Sequence, residues 1–399
     1  MNVYLDHAAT GPMPPEVIDA YASALTLVGN PSAIHSSGQN AKRMLEEARE
    51  TVAASVGASP IEVTFASGGT EAINLALKGL WWARRSAVIE PVGIRGTVST
   101  GSNTVRTRIL STRAEHHATI DALEWLERHE GAVIEWIPVD TLGRMDLSAL
   151  EAAIGPDVAL VTTLWANNEV GTVQPVAEIV ALAGAHDVPV HADAVSALGQ
   201  LPIDFAASGL AALSISAHKV GGPVGIGALV TSRATVVEPL LHGGGQQRFR
   251  SGTQDAAGAH AFGVAVALAG SDLAGHAARL TALRDHLIAG IRGAVPSAVL
   301  RGDPSDRLPG NAHFTFPGCE GDSLLFLLDA AGFSVSTGSA CRAGVPEASH
   351  VLLAMGVPEP EARGALRFTL GGSTTVEELD ALIAALPDAV TRARTAGLS

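Results

Sequence analysis

Through the first two thirds of the chain, short apolar runs rich in β-branched residues alternate with stretches whose apolar positions recur every three or four residues. IEVTFAS (61–67) leads directly into TEAINLALKGLWW, a helical pattern. Further strand candidates are RILSTRA, AVIEWIPV, VALVTTLW, VPVHAD, LSISA and GALVT. Several are apolar without interruption, which is expected of strands covered on both faces. Strand and helix in alternation predict an α/β fold around a largely parallel sheet. From about residue 260 the texture changes. A long Ala/Leu helix (about 256–293) leads to SAVLRG, NAHFTFPG, FSVST and LRFTL, interleaved with helical GDSLLFLLDAAG and TVEELDALIAAL, a pattern that predicts a smaller α+β domain. The stretch 91–107, PVGIRGTVSTGSNTVRT, is polar and rich in Gly, Ser and Thr, and predicts a surface loop.

Composition narrows the class without naming a function. At 399 residues and 47% hydrophobic, the chain has the size of two packed domains. A net charge of −14 argues against a nucleic-acid surface. No uncharged apolar run is long enough to cross a bilayer, so no membrane partner is expected. The start, MNVYLDHAATGP, has neither a basic nor an apolar leader segment. The two cysteines, Cys319 and Cys341, are too few for a disulfide framework, and together these features lead us to expect a cytoplasmic protein. The 14 histidines show no metal-protease spacing, and no metal is expected.

Three strand-end features carry the candidate chemistry. Lysine occurs only at 42, 78 and 219, and Lys219 closes the strand-like LSISAHK ahead of a glycine run. A lysine ammonium desolvated at such a place has a lowered pKa and can form a Schiff base, which a guanidinium cannot. Ser67-Gly68-Gly69-Thr70 joins a strand to a helix, where glycines and a helix N-terminus together favour an anion. Asp193 closes VPVHAD, at the strand end where α/β proteins place ligands. Taken singly these are a capped turn, a turn aspartate and a surface lysine. Taken together they describe a site for pyridoxal 5′-phosphate, with Gly69 and Thr70 at the phosphate, Lys219 on the carbonyl carbon and Asp193 against the pyridinium nitrogen.

The sequence at this point resembles the NifS/IscS-type cysteine desulfurases, class V members of the fold-type I pyridoxal-phosphate enzymes. The likeness runs from YLDHAATGP (4–12) to LRFTLGGSTT (366–375) through GNPSAIHSSG, FASGGTEAINLALKG, AEHHATID, ANNEVGTVQP, HADAVSALGQLPID, SAHKVGGPVGIGAL, HGGG, RSGT and VSTGSACRAG, all in order. The resemblance implies a mainly parallel seven-stranded sheet flanked by helices in a large domain (15–258). Residues 1–14 with 259–399 would form the smaller domain. It implies that His116 lies over the cofactor ring and assists proton transfer, and that Asn168 approaches the ring hydroxyl. Ser216 and His218 would join Thr70 at the phosphate. Thr253 would reach the cofactor of a second subunit, which implies a homodimer with shared active sites. Arg367 would grip the carboxylate of the substrate, L-cysteine, through a two-pronged hydrogen bond, assisted by Asn30.

Cys341 sets the expected reaction. It lies in the Gly/Ser-rich STGSACRAG beside Arg342, where a nearby cation favours thiolate. The family resemblance implies that Lys219 moves the Cα proton and that Cys341 takes the sulfur as a persulfide. L-alanine then leaves, and the sulfur passes to an acceptor protein or a small thiol. Cys319, in FPGCEGDS, is read as structural. Three features depart from the family pattern. Ser196 stands near the ring oxygen where glutamine is usual, and its shorter side chain would need a water to make the same bond. The QQRF segment between HGGG and RSGT is about a residue short, and 91–107 reads as an insertion. The alternatives are a selenocysteine lyase and a pyridoxal-phosphate-binding sulfur-relay subunit active only with a partner.

Overall fold

The structure is a computed structural model that describes residues 2–86, 106–245, 247–338 and 348–396. The strands are β1 (Val3–Tyr4), β2 (Val63–Ala66), β3 (Arg108–Thr112), β4 (Val133–Ile137), β5 (Val158–Leu164) and β6 (Val190–Asp193). They continue with β7 (Ala212–Ser216), β8 (Gly227–Thr231), β9 (Val299–Arg301), β10 (Asn311–Thr315), β11 (Phe333–Ser334) and β12 (Ala365–Thr369). Seven form one sheet in the order β2-β8-β7-β6-β5-β3-β4. All its pairings are parallel except those of β8, which runs against both β2 and β7.

This sheet is buried on both faces, and its side chains alternate between two cores as strand geometry requires. Ala228 and Val230 of β8 face one core with Ile215 and Val161, whereas Leu229 faces the other with Ile109 and Leu160. All seven residues of β5 are buried. Its strands correspond one for one to the seven runs predicted from the sequence. Where β8 passes the glycine turn after β2, only glycine fits: a Cβ at Gly227 would lie 2.8 Å from the backbone of Gly68.

A second body carries the antiparallel sheet β12-β10-β9 and the small parallel pair β1-β11. Its core joins Val3 and Leu5 to Phe314, Phe316, Leu366 and Phe368. The single long helix expected at 256–293 is two helices, Ala256–Ser271 and Leu273–Ala294, bent by 71°. Asp272 causes the break. Its backbone leaves helical geometry (φ −146, ψ 54) while its carboxylate accepts from Gly275 N at 3.1 Å and caps the second helix. The packing changes at the same point. Ala259, Phe262 and Val266 of the first helix belong to the large core, whereas Leu280, Leu283 and Leu287 of the second belong to the smaller one. The expected boundary after 258 therefore moves to Asp272.

The loop expected at 91–107 lies outside the described residues apart from Arg106 and Thr107, and so do Cys341 and Arg342. No single helix among the described residues is long and apolar enough to cross a membrane. Among the same residues, no group of three or more His, Cys, Asp and Glu side chains could hold a metal ion.

Candidate active site

Parallel strands all present their C-terminal ends to one edge of the sheet, and the loops that leave them build a pocket of about 510 Å³ there. Gly69 and Thr70 follow β2, His116 follows β3, and Asn168 follows β5. Asp193 ends β6 with Ser196 one turn beyond, and Ser216 ends β7 ahead of His218 and Lys219. The smaller body closes the pocket with Asp6, Ser336, Gly338, His350 and Arg367. Ten residues singled out in the sequence thus line one cavity, although they are drawn from positions 69 to 367. A larger cavity of about 670 Å³ touches the other side of Lys219 but includes none of His116, Asp193 and Arg367.

Charge within the pocket follows from burial. Lys219 Nζ donates to the carbonyl oxygens of Ala8 and Ala9, the latter at 2.9 Å. Burial, and then the nearby Arg367 guanidinium, lower its pKa to about 8. Burial raises Asp193 to about 6, against the opposing pull of the Val195 N–H at 2.9 Å and of Lys219. His116, solvent-exposed at the pocket wall, is held down to about 4, first by the desolvation of the surrounding protein and then by Lys219, His117 and His350. Its Nδ1 accepts from Ala118 N at 3.1 Å as the cap of the helix His117–Glu130, so the neutral ring carries its proton on Nε2. His218 is likewise lowered to about 4 by burial and Lys219.

Arg367, on β12, is fixed at two points. Nη1 donates to Asn168 O and Nη2 to Asp6 Oδ1, each at 2.8 Å, while the buried Nε has no partner. A guanidinium has five N–H donors, so enough remain for a two-pronged grip on a carboxylate. Asn168 Oδ1 is also buried without a partner. The unsatisfied Arg367 donor and the Asn168 amide, with a buried carboxylate and a low-pKa lysine in the same cavity, fit pyridoxal 5′-phosphate and an amino-acid substrate. The phosphate end fits too. The helix Gly69–Ser86 begins at the pocket wall, where a Cβ on Gly69 would lie 2.7 Å from Val195 Cγ2.

Asn30, expected at the substrate carboxylate, lies away from this pocket, and Thr253, expected at a second subunit's cofactor, lies away from the pocket of its own chain. Asn30 is exposed and shapes its own turn, its Oδ1 accepting from Ser32 N at 2.9 Å. Thr253 is exposed ahead of the helix that begins at Ala256. Cys319 is buried, with Sγ 3.7 Å from Val390 O. Three carboxylates escaped the sequence reading although their motifs were noticed. Asp6 pairs with Arg367. Glu115 is 2% exposed next to Asp193, its pKa raised well above the usual carboxylate range by burial and by Asp193. Its Oε1 accepts from Leu164 N at 3.0 Å. Glu169, 1% exposed, accepts from Ser349 Oγ at 2.5 Å.

The fold and the site define a class-V aminotransferase, and the description of that family, Aminotransferase class-V, matches residues 3–382; the chain belongs to it. Within the family it is similar to the IscS-like cysteine desulfurase of Mycobacterium tuberculosis, with 50% identity over 99% of this chain and 98% of that protein. The cysteine desulfurase NifS of Azotobacter vinelandii is 37% identical over 98% of this chain and 94% of that protein. A solved NifS-like protein superposes with a TM-score of 0.87 at 31% identity, covering 98% of this chain and all of the other.

Proposed function

We propose that this protein is a pyridoxal-phosphate-dependent cysteine desulfurase that converts L-cysteine to L-alanine and delivers the sulfur to an acceptor. The observation that carries this reading is the convergence of Lys219, Asp193 and Arg367 on one pocket in a chain similar throughout its length to cysteine desulfurases. Gly69, Thr70, Ser216 and His218 would hold the phosphate, Asp193 the ring nitrogen, Asn168 and Ser196 the ring oxygen, and Lys219 the carbonyl carbon. When bound, the cofactor supplies an electron sink for the charge left at Cα. Arg367 orients the substrate carboxylate. Lys219, with its pKa near 8, has a substantial neutral fraction close to physiological pH and takes the Cα proton. The neutral His116 ring, its Nδ1 held by the Ala118 N–H, presents Nε2–H as a hydrogen-bond donor beside the proton that Lys219 carries. The Cys341 thiolate attacks the substrate Sγ; an S–S bond forms as the Cβ–S bond breaks, and the carbon fragment leaves as alanine after gaining a proton.

The dimer is the family's usual state, and Thr253, exposed in the single chain, is free to serve a second copy's site. The cysteine content suits a reducing cytoplasm. The relatives named cysteine desulfurase favour neither the selenocysteine-lyase nor the relay-subunit alternative. The test is turnover of L-cysteine under a reducing thiol, with alanine and sulfide measured together for wild type and Cys341→Ser. Equal amounts from wild type, both lost in a variant that keeps its chromophore, are expected. Full activity in Cys341→Ser would remove Cys341 from the reaction.

A further inference from the structure

Behind the ring-oxygen side of the pocket lies a second, small cavity of about 20 Å³, lined among others by His7, Asn168, Ser196, Gln200, Lys219 and Asn311. Asn168, Ser196 and Lys219 line the active-site pocket as well, so the two spaces are back to back. Three side-chain atoms of its lining residues are buried without a partner: His7 Nε2, Asn168 Oδ1 and Gln200 Oε1. Buried polar atoms are nearly always satisfied; the 670 Å³ cavity is lined by His7 and Gln200 without Asn168, the active-site pocket by Asn168 without the other two, and this small cavity by all three, which makes it the place for a common partner. A space of this volume holds one water, and a buried water needs two to four polar partners. The cavity meets both conditions.

Position gives the cavity a role. Ser196 and Gln200 lie four residues apart in a helix-like turn, closed by Leu198 N donating to Ala194 O and Leu201 N to Ala197 O. Residues at this spacing share a face. Serine at 196 is too short to fill the space behind the ring oxygen that a longer amide would occupy. We propose that Gln200 is a positioning residue for the active site, acting through water held in this cavity on the amide of Asn168. The water donates to Gln200 Oε1 and Asn168 Oδ1, and the second bond turns the Asn168 N–H₂ group toward the ring oxygen. Gln200 and the water thereby do from behind what a glutamine at 196 would do directly.

This inference rests on the cofactor reading above, and its test separates the two. The probe is the pH midpoint of the visible chromophore in the holoenzyme, a property independent of turnover. A donor to the ring oxygen draws electron density from the Lys219 Schiff-base nitrogen, so weakening that donor raises the midpoint. Gln200→Met should raise it by about half a unit to one unit, the scale of one hydrogen bond. Gln200→Leu serves as a second apolar replacement, and unchanged melting temperatures certify the fold. In a Ser196→Gln background the introduced amide fills the cavity, and Gln200→Met should then leave the midpoint where it was. A midpoint unmoved by either apolar replacement, or moved equally in both backgrounds, overturns the role of Gln200 while leaving the cofactor reading intact. A wild-type protein that forms no chromophore overturns both.

Discussion

Arg367 Nη2 lies 2.8 Å from Asp6 Oδ1, an ion pair between residues 361 positions apart with side chains only 7% and 20% exposed. The N-terminal segment therefore sets where the substrate-binding guanidinium points. Arg367→Lys keeps the charge but loses the planar fork, and kcat/KM for L-cysteine should fall about 10- to 100-fold, mainly through KM. Asp6→Asn leaves a buried guanidinium with a weaker partner. It should cost roughly 1–3 kcal/mol of stability, read from denaturant melts. A KM unchanged in Arg367→Lys would remove Arg367 from the carboxylate site.

Asp193 predicts the acid-side pH dependence of the cofactor-free protein. Burial raises its pKa from 3.8 to about 6, so between these values the folded state holds a proton that the unfolded state has released. Stability should therefore fall as pH rises from about 4 to about 6, by on the order of 2–3 kcal/mol, and stay lower above that range. Asp193→Asn should flatten this slope. A cofactor-free variant with the same slope as wild type would mean that Asp193 is not the group responsible.

Lys219 predicts the opposite slope on the alkaline side. Its pKa is lowered from 10.5 to about 8, so between these values the unfolded state binds the extra proton. The cofactor-free wild type should gain stability relative to Lys219→Met as pH rises from about 8 to about 10.5. Parallel stability curves across that window would contradict the lowered lysine pKa.

Glu169 is a buried carboxylate with a short bond from Ser349 Oγ, at 2.5 Å, and its backbone oxygen accepts from Asn311 Nδ2 at 3.0 Å. Ser349→Ala removes a donor to a buried carboxyl group and also the side-chain cap that accepts from Leu352 N at 3.2 Å. A loss of about 2 kcal/mol in thermal or denaturant stability is expected. A change within a few tenths of a kcal/mol would show that Glu169 finds another donor.

Much of this was legible in the sequence because it depends on local pattern. Each strand of the large sheet is an apolar run with turn residues at its end, and strand ends are where Gly69, Asp193 and Lys219 stand. What depends on distant partners was not legible. Asp6, Glu115 and Glu169 sit in recognised motifs, but their chemistry follows from Arg367, Asp193 and Ser349, which only folding brings near. Gln200 was unreadable for the same reason, since a shared cavity has no sequence signature. The break at Asp272 was hidden by the apolar residues on both sides of it, although an aspartate immediately before the first apolar position of a helical pattern, here Leu273, is a capping signal. Asn30 was singled out by family resemblance, and nothing local to it indicated that it lies away from the pocket of its own chain; Thr253 was assigned by the same resemblance to the site of a second subunit, where a single chain has no pocket to offer it.

The most direct test of the central claim exploits the scarcity of lysine. Borohydride reduction of the purified holoenzyme, followed by peptide mapping, should place one pyridoxyl group per chain on Lys219 and none on Lys42 or Lys78. A label on either of those lysines, or no label on a protein that retains its yellow colour, would contradict the site described here.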